Sequence, residues 1–177
     1  MAIRKILLDG DDLLRKKSKP VLVFDNNLKE LLKDMEETMN KNDGAGLAAP
    51  QVGILKRCFV MLDKNHKPIW VINPEIVASS GQNKYLLEGC LSLPEVCGEV
   101  ERPNEVKVTY QDVNGEKQEK TFTAFQAKTF CHELDHLDGI LYKDRAKKMY
   151  KSYDEYFKLK EKRERKEAKK KEKENKK

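Results

Sequence analysis

An α+β fold, with antiparallel β-sheets packed around a central helix, is what this sequence predicts, and three observations predict it. Two stretches carry apolar residues at helical spacing, one early and one in the last third of the 177-residue chain. Between them lie short runs rich in β-branched and aromatic residues, cut by turn signals. Those strands cluster instead of alternating regularly with helices, which favours antiparallel pairing. The length suits one sizeable core and is too short for two comfortable domains.

In chain order, "MAIRKILLDGDD" meets acidic residues before any hydrophobic run develops, so no cleaved leader is expected. "NNLKELLKDMEETMNKNDG" reads as a helix. Leu28, Leu31, Leu32, Met35 and Met39 form its stripe, Asn27 with Glu30 makes a capping start, and Gly44 follows its end. In "DGAGLAAPQVG" the density of Gly and Ala lets another backbone approach closely, as when a peptide lies along a strand edge. Gln51 in its midst offers an amide donor to a developing oxyanion.

Lys56 to Val77 reads as strands, "CFVML" and "IWVINPEIV", split by the turn "DKNHKP", where His66 is a surface residue. Val106, Val108 and Tyr110 alternate before Asn114-Gly115, a dipeptide that predicts a type I′ hairpin turn. Thr123 is placed to cap a second helix running through Ala127, Phe130 and Leu134 and closed by Gly139. A third helix is expected from about Ala146, with Met149, Tyr150, Tyr153, Tyr156 and Phe157 as its stripe. Beyond Lys160 only Ala168 is apolar, so a solvated, fraying helix or disorder is expected there.

Charge is placed unevenly. From Lys147 onward fifteen Lys and Arg face seven Asp and Glu, a balance of +8, which leaves −2 for the first 146 residues of a chain whose net charge is +6. Affinity for a polyanion therefore belongs to the tail. Cys58, Cys90, Cys97 and Cys131 show no C-x-x-C spacing, as expected of reduced thiols in a cytoplasmic protein. No apolar run is long enough to span a bilayer.

The chemistry concentrates in "HELDH", His132 to His136. Residues four apart on a helix lie about 40° from one another around the axis, so both imidazoles reach one cation. Glu133 stands beside that cation, over its water. A catalytic site of this kind normally takes three protein ligands and keeps a position open. Two candidates supply the third: Cys90 upstream, as a thiolate, or Glu155 downstream, as in a zincin-type metallopeptidase. Spacing prefers Cys90 only modestly. A basic ribosome- or RNA-binding module with a structural metal, and a hydrolase using Cys90 as nucleophile, are readings of other classes.

Three stretches in this order, "GAGLAAPQ" (44–51), "EGCLS" (88–92) and "HELDH" (132–136), resemble the peptide deformylase motifs G-x-G-x-A-A-x-Q, E-G-C-x-S and H-E-x-D-H. The resemblance covers roughly residues 1–148. It implies a catalytic domain there, and leaves 149–177 as a basic, helical, partly disordered extension. It implies Cys90, His132 and His136 as ligands of one divalent ion, usually ferrous iron, with zinc, nickel or cobalt able to substitute. Glu133 becomes the general acid/base, Gln51 and the backbone N–H of Leu91 the oxyanion hole. The implied reaction is hydrolytic removal of the N-formyl group from the N-terminal methionine of nascent polypeptides, releasing formate. Substrate would lie along Gly44, Ala45 and Gly46, with Lys128 and Thr129 lining the methionine pocket. Glu88, Arg102 and Asp135 are candidates to orient the ligands, with a plain surface salt bridge the alternative for Arg102. A cytoplasmic monomer is expected, whose basic tail either contacts the ribosome or serves as a solubilising segment. The sequence departs from the family's common pattern at Cys131, where Gln is frequent, at Gly10, where Pro is common, and near Cys97, where some members carry an Arg. Cys131 is turned about 100° from His132 and reads as a buried thiol.

Overall fold

The computed structural model describes residues 2–81 and 83–174. Helix α1 (Asn26–Lys41) buries the expected stripe of Leu28, Leu31, Leu32, Met35 and Met39. Its cap is Asp25, whose side chain accepts from the Leu28 N–H, and not Asn27, which lies inside the first turn. Either residue type caps well; the one with the extended backbone takes the position.

A five-stranded antiparallel sheet is ordered β1 (Gly46–Ala48), β2 (Cys58–Leu62), β3 (Pro68–Ser80), β6 (Glu105–Gln111), β7 (Lys117–Thr123). A three-stranded sheet is ordered β4 (Lys84–Cys90), β5 (Leu93–Arg102), β8 (Ala146–Tyr150). Pro74 is tolerated within β3 because the register with β6 shifts between Ile72 and Glu75, where no ladder donor is required. Asn73 at that bulge takes φ 50° and clamps Val21 through two 2.8 Å hydrogen bonds, one to its N–H and one to its carbonyl.

The hairpin between β6 and β7 differs from the two-residue turn expected. Only Gly115 has a positive φ, 83°, and the Asp112 N–H bonds the Glu116 carbonyl across a longer loop. The Asp112 side chain accepts the Asn114 and Glu116 N–H groups, which stabilises that loop over the tighter one.

Helix α2 (Ala124–Leu137) lies between the sheets. Phe130 meets Phe59 edge-on at 5.2 Å and Phe122 at 5.6 Å, burying one face in the larger sheet's core. Thr123 is its N-cap residue by position but makes no side-chain capping bond. Its end is closed as expected by Gly139 at φ 74°: the Ile140 N–H bonds the Asp135 carbonyl and the Gly139 N–H that of His136.

The helix expected from Ala146 starts only at Tyr153. Residues 146–150 instead form β8, paired with β5 from Cys97↔Tyr150 to Val100↔Ala146. A short α3 (Tyr142–Arg145) precedes it, and α4 (Tyr153–Glu174) follows. The apolar stripe was read at one period across two elements: Tyr150 is buried by the strand, and Tyr156 packs back on it at 5.2 Å from the helix. From residue 161 to 169 every side chain of α4 is exposed, in keeping with a solvated helix, while residues 175–177 lie outside the described part.

Candidate active site

Each element delivers one part of the site. Strand β4 ends on Cys90, and α2 presents His132 and His136 from one side, as their spacing requires. One ligand atom from each of the three lies within 4.8 Å of the others. Cys90 Sγ is 3.2 Å from His136 Nε2.

The charges around them are arranged for a cation. Burial works against an ionised Glu88, but hydrogen bonds from His132 and Arg102 outweigh it and hold its carboxyl at about 2. Glu88 can therefore only accept, so the 2.8 Å contact makes His132 Nδ1 the donor and leaves Nε2 as the atom that would take a cation in exchange for its proton. Burial opposes charge on His132 too, yet Cys90 and Glu88 more than offset this and raise it to about 10; the same negative groups favour a metal ion. Burial, with His132 adding to it, holds His136 well below its ordinary value, keeping that ring neutral. One sulfur and two imidazoles, oriented in this way, fit a divalent cation.

Glu133 stands next to the cluster, 3 % exposed, with its Oε2 buried and unpartnered among the described residues. Burial pushes its pKa up to about 7, against the opposing influence of His132. A Cβ at Gly46 would overlap Glu133 Oε1, so glycine is what admits the carboxylate here. Gln51 sits in a 3-10 turn, Ala49–Val52. Its Oε1 accepts the Ala48 N–H at 2.8 Å, which fixes the amide so that Nε2 points to Ser92 Oγ (3.1 Å) and Cys90 Sγ (3.4 Å). Gly44, Ala45, Gly46, Leu91, Lys128 and Thr129 all line the same cavity of about 520 Å³.

Behind the Cys90–His132–His136 cluster, Arg102 donates to both Glu88 oxygens (2.8 and 3.1 Å) and to Asp135 (2.7 Å), all buried. These three were expected near the ligands. Arg145, which also grips Asp135 at 2.7 and 2.9 Å, and Tyr142, stacked on His132 at 5.9 Å, were not. Both come from the segment just after α2, where no spacing marks them. Ser92 closes the "EGCLS" stretch, and that was the available signal for it. Cys131 is buried as expected, its thiol pushed up to about 11 by burial. His66 is exposed in its turn.

Glu155 is not in the cluster. Its carboxylate accepts the Lys151 N–H at 2.7 Å and its own N–H bonds Ser152 Oγ at 3.1 Å, so it serves the start of α4. The peptidase-type third ligand is thereby set aside.

The sequence matches the family model described as polypeptide deformylase over residues 3–152. The chain belongs to the polypeptide deformylase family. It is 49% identical over 148 residues to the peptide deformylase of Finegoldia magna, covering 82% of this chain and 91% of that one. It is 47% identical over 152 residues to peptide deformylase 2 of Clostridium acetobutylicum, covering 85% and 100%. Among solved structures, the peptide deformylase from Thermotoga maritima superposes with a TM-score of 0.81 at 47% identity, covering 84% of this chain and all of that one. The Synechococcus elongatus peptide deformylase, solved in complex with actinonin, gives 0.78 at 41% identity, covering 81% and 78%. The deformylase fold thus accounts for both sheets and α2.

Proposed function

We infer that the Cys90–His132–His136 cluster is where this chain carries out its family's reaction: metal-dependent hydrolysis of the N-formyl group from the N-terminal methionine of nascent polypeptides, releasing formate. One observation carries the assignment: three side chains able to bind a metal converge beside a Glu133 carboxylate that is buried and unpartnered among the described residues, and Cys90, His132 and Glu133 line the same cavity. A divalent ion held by the three side chains supplies Lewis acidity, lowering the pKa of water and polarising the formyl oxygen. Ferrous iron is the ion we propose, and the thiolate–imidazole set also suits zinc, nickel or cobalt.

The chain's own groups do the rest. Glu133, poised near 7, takes the proton of the attacking water and returns it to the departing amine. The Gln51 amide and the Leu91 N–H donate to the oxygen that gains charge, each worth about 100- to 1,000-fold in rate. The peptide backbone lies along Gly44, Ala45 and Gly46, since among the described residues β1 pairs only with β2 and its outer edge is free to take a strand. Thr129 spends its hydroxyl on the Phe125 carbonyl at 2.9 Å and offers its methyl to the methionine side chain, next to the stem of Lys128. Residues 1–148 make up the catalytic body, and 149–177 a basic extension that contacts the ribosome. The protein works as a cytoplasmic monomer; no helix among the described residues is long and apolar enough to cross a membrane.

Formate release from a short N-formyl-methionyl peptide by anaerobically prepared ferrous protein tests the assignment. Metal-dependent release that vanishes in Glu133→Ala is the expected result. Correctly folded, metal-filled protein that releases none would overturn it.

A further inference from the structure

The extension reaches the catalytic cavity. Tyr153, the first residue of α4, lines the cavity together with Cys90, Glu133 and Gln51. Its hydroxyl lies against the backbone of Gly89, so close that a Cβ at position 89 would overlap it. Gly89 immediately precedes Cys90 on β4, whose one strand partner among the described residues is β5, and Gly89 itself lines the cavity. The hydroxyls of Tyr142 and Tyr150 bond the Val96 carbonyl and Glu99, whereas among the described residues the Tyr153 hydroxyl has no such partner. Tyr153 as a whole is 43% exposed.

The position is held firmly from both sides. Ser152 and Glu155 cap the helix around it, and Tyr156 packs on Tyr150 in the smaller sheet. A tyrosine fixed in this way, with its hydroxyl over Gly89 in the cavity wall, has the chemistry to donate to a peptide carbonyl and to cover an adjoining residue with its ring.

We propose that Tyr153 is a substrate-binding residue that contacts the peptide beyond its formyl-methionyl head, so that the extension completes the active site. The proposal rests on the deformylase reading above. It also gives Gly89 a reason to lack a side chain: the contact excludes one.

The test compares wild-type ferrous protein with Tyr153→Phe, Tyr153→Ala and a Lys162→Ala/Lys166→Ala control on the same helix. Each is assayed on N-formyl-methionine amide and on an N-formyl-methionyl tripeptide, with thermal unfolding checked alongside. The expected result is a KM raised about three- to tenfold for the tripeptide by loss of the hydroxyl, more by loss of the ring. KM for the amide should change less than twofold, kcat should be unaltered and the lysine control should match wild type. Equal effects on both substrates, a change in kcat alone, or no change would overturn the proposal. Wild-type protein inactive on both substrates would instead sink the deformylase reading.

Discussion

Arg102 is the most consequential single side chain outside the cluster. It is 4% exposed and joins Glu88, which orients His132, to Asp135. Removing it strips Glu88 of its buried guanidinium and leaves Asp135 to Arg145 alone, so Arg102→Ala should cost about 3–5 kcal/mol, read as a lower denaturant midpoint. Glu88→Gln keeps the shape but weakens the bond that fixes the His132 tautomer. Metal affinity should then fall about 10- to 100-fold by calorimetric titration. At this scale the sequence was legible where chemistry is local. His132, Glu133 and His136 share one helix, so periodicity alone puts them together. Gln51 was visible as a residue, but its orientation depends on the Ala48 N–H and Ser92, which a spacing rule does not reach. Arg145, Tyr142 and Tyr153 were invisible for a related reason, since their contacts with the site arise from chain reversals after α2.

Among the elements, the start of α4 shows how one residue's role is decided by its neighbours. Ser152 and Glu155 divide two bonds between them across the first turn. Ser152→Ala should cost that helix about 1 kcal/mol and speed amide exchange over its first turns. Glu155→Gln should leave the bound metal per chain unchanged, by elemental analysis, where a ligand role would predict its loss. The same region is where pattern reading failed. A stripe of aromatic residues suits a helix, but Tyr150 gains its burial from the edge that β5 offers, a long-range fact. Helix α1 was legible because it buries one face at a constant period over its length, and α2, buried or half-buried on all sides from Ala127 to Leu137, because Ala127, Phe130 and Leu134 keep helical spacing and Gly139 closes it. The β6–β7 turn was misread because Asp112 adds side-chain bonds that Asn114-Gly115 does not announce.

The whole molecule pairs a near-neutral body with a strongly basic helix, a separation already present in the sequence. The ribosome binding proposed for that extension should weaken steeply as salt rises from 50 to 200 mM, measured by co-sedimentation. Acid acts on the body. Backbone N–H groups of Ala2, Leu28 and Lys67 hold Asp34, Asp25 and Asp63 below their ordinary range, and Arg15 does so for Asp144. Depressed carboxyl pKa values give stability that is present above the unfolded range and lost as pH falls through the folded values, so urea midpoints should hold near neutrality and drop below about pH 4. One further consequence belongs to this scale. Cys90 ends a strand of the smaller sheet, whereas the histidines ride on a helix whose core lies in the larger one, and Cys90 and His136 are 46 residues apart. A cation in the cluster is then also a removable rivet between the two halves of the molecule. Loss of that cation would do more than silence such an enzyme: it would loosen the seam and leave a polypeptide already part-way to being degraded.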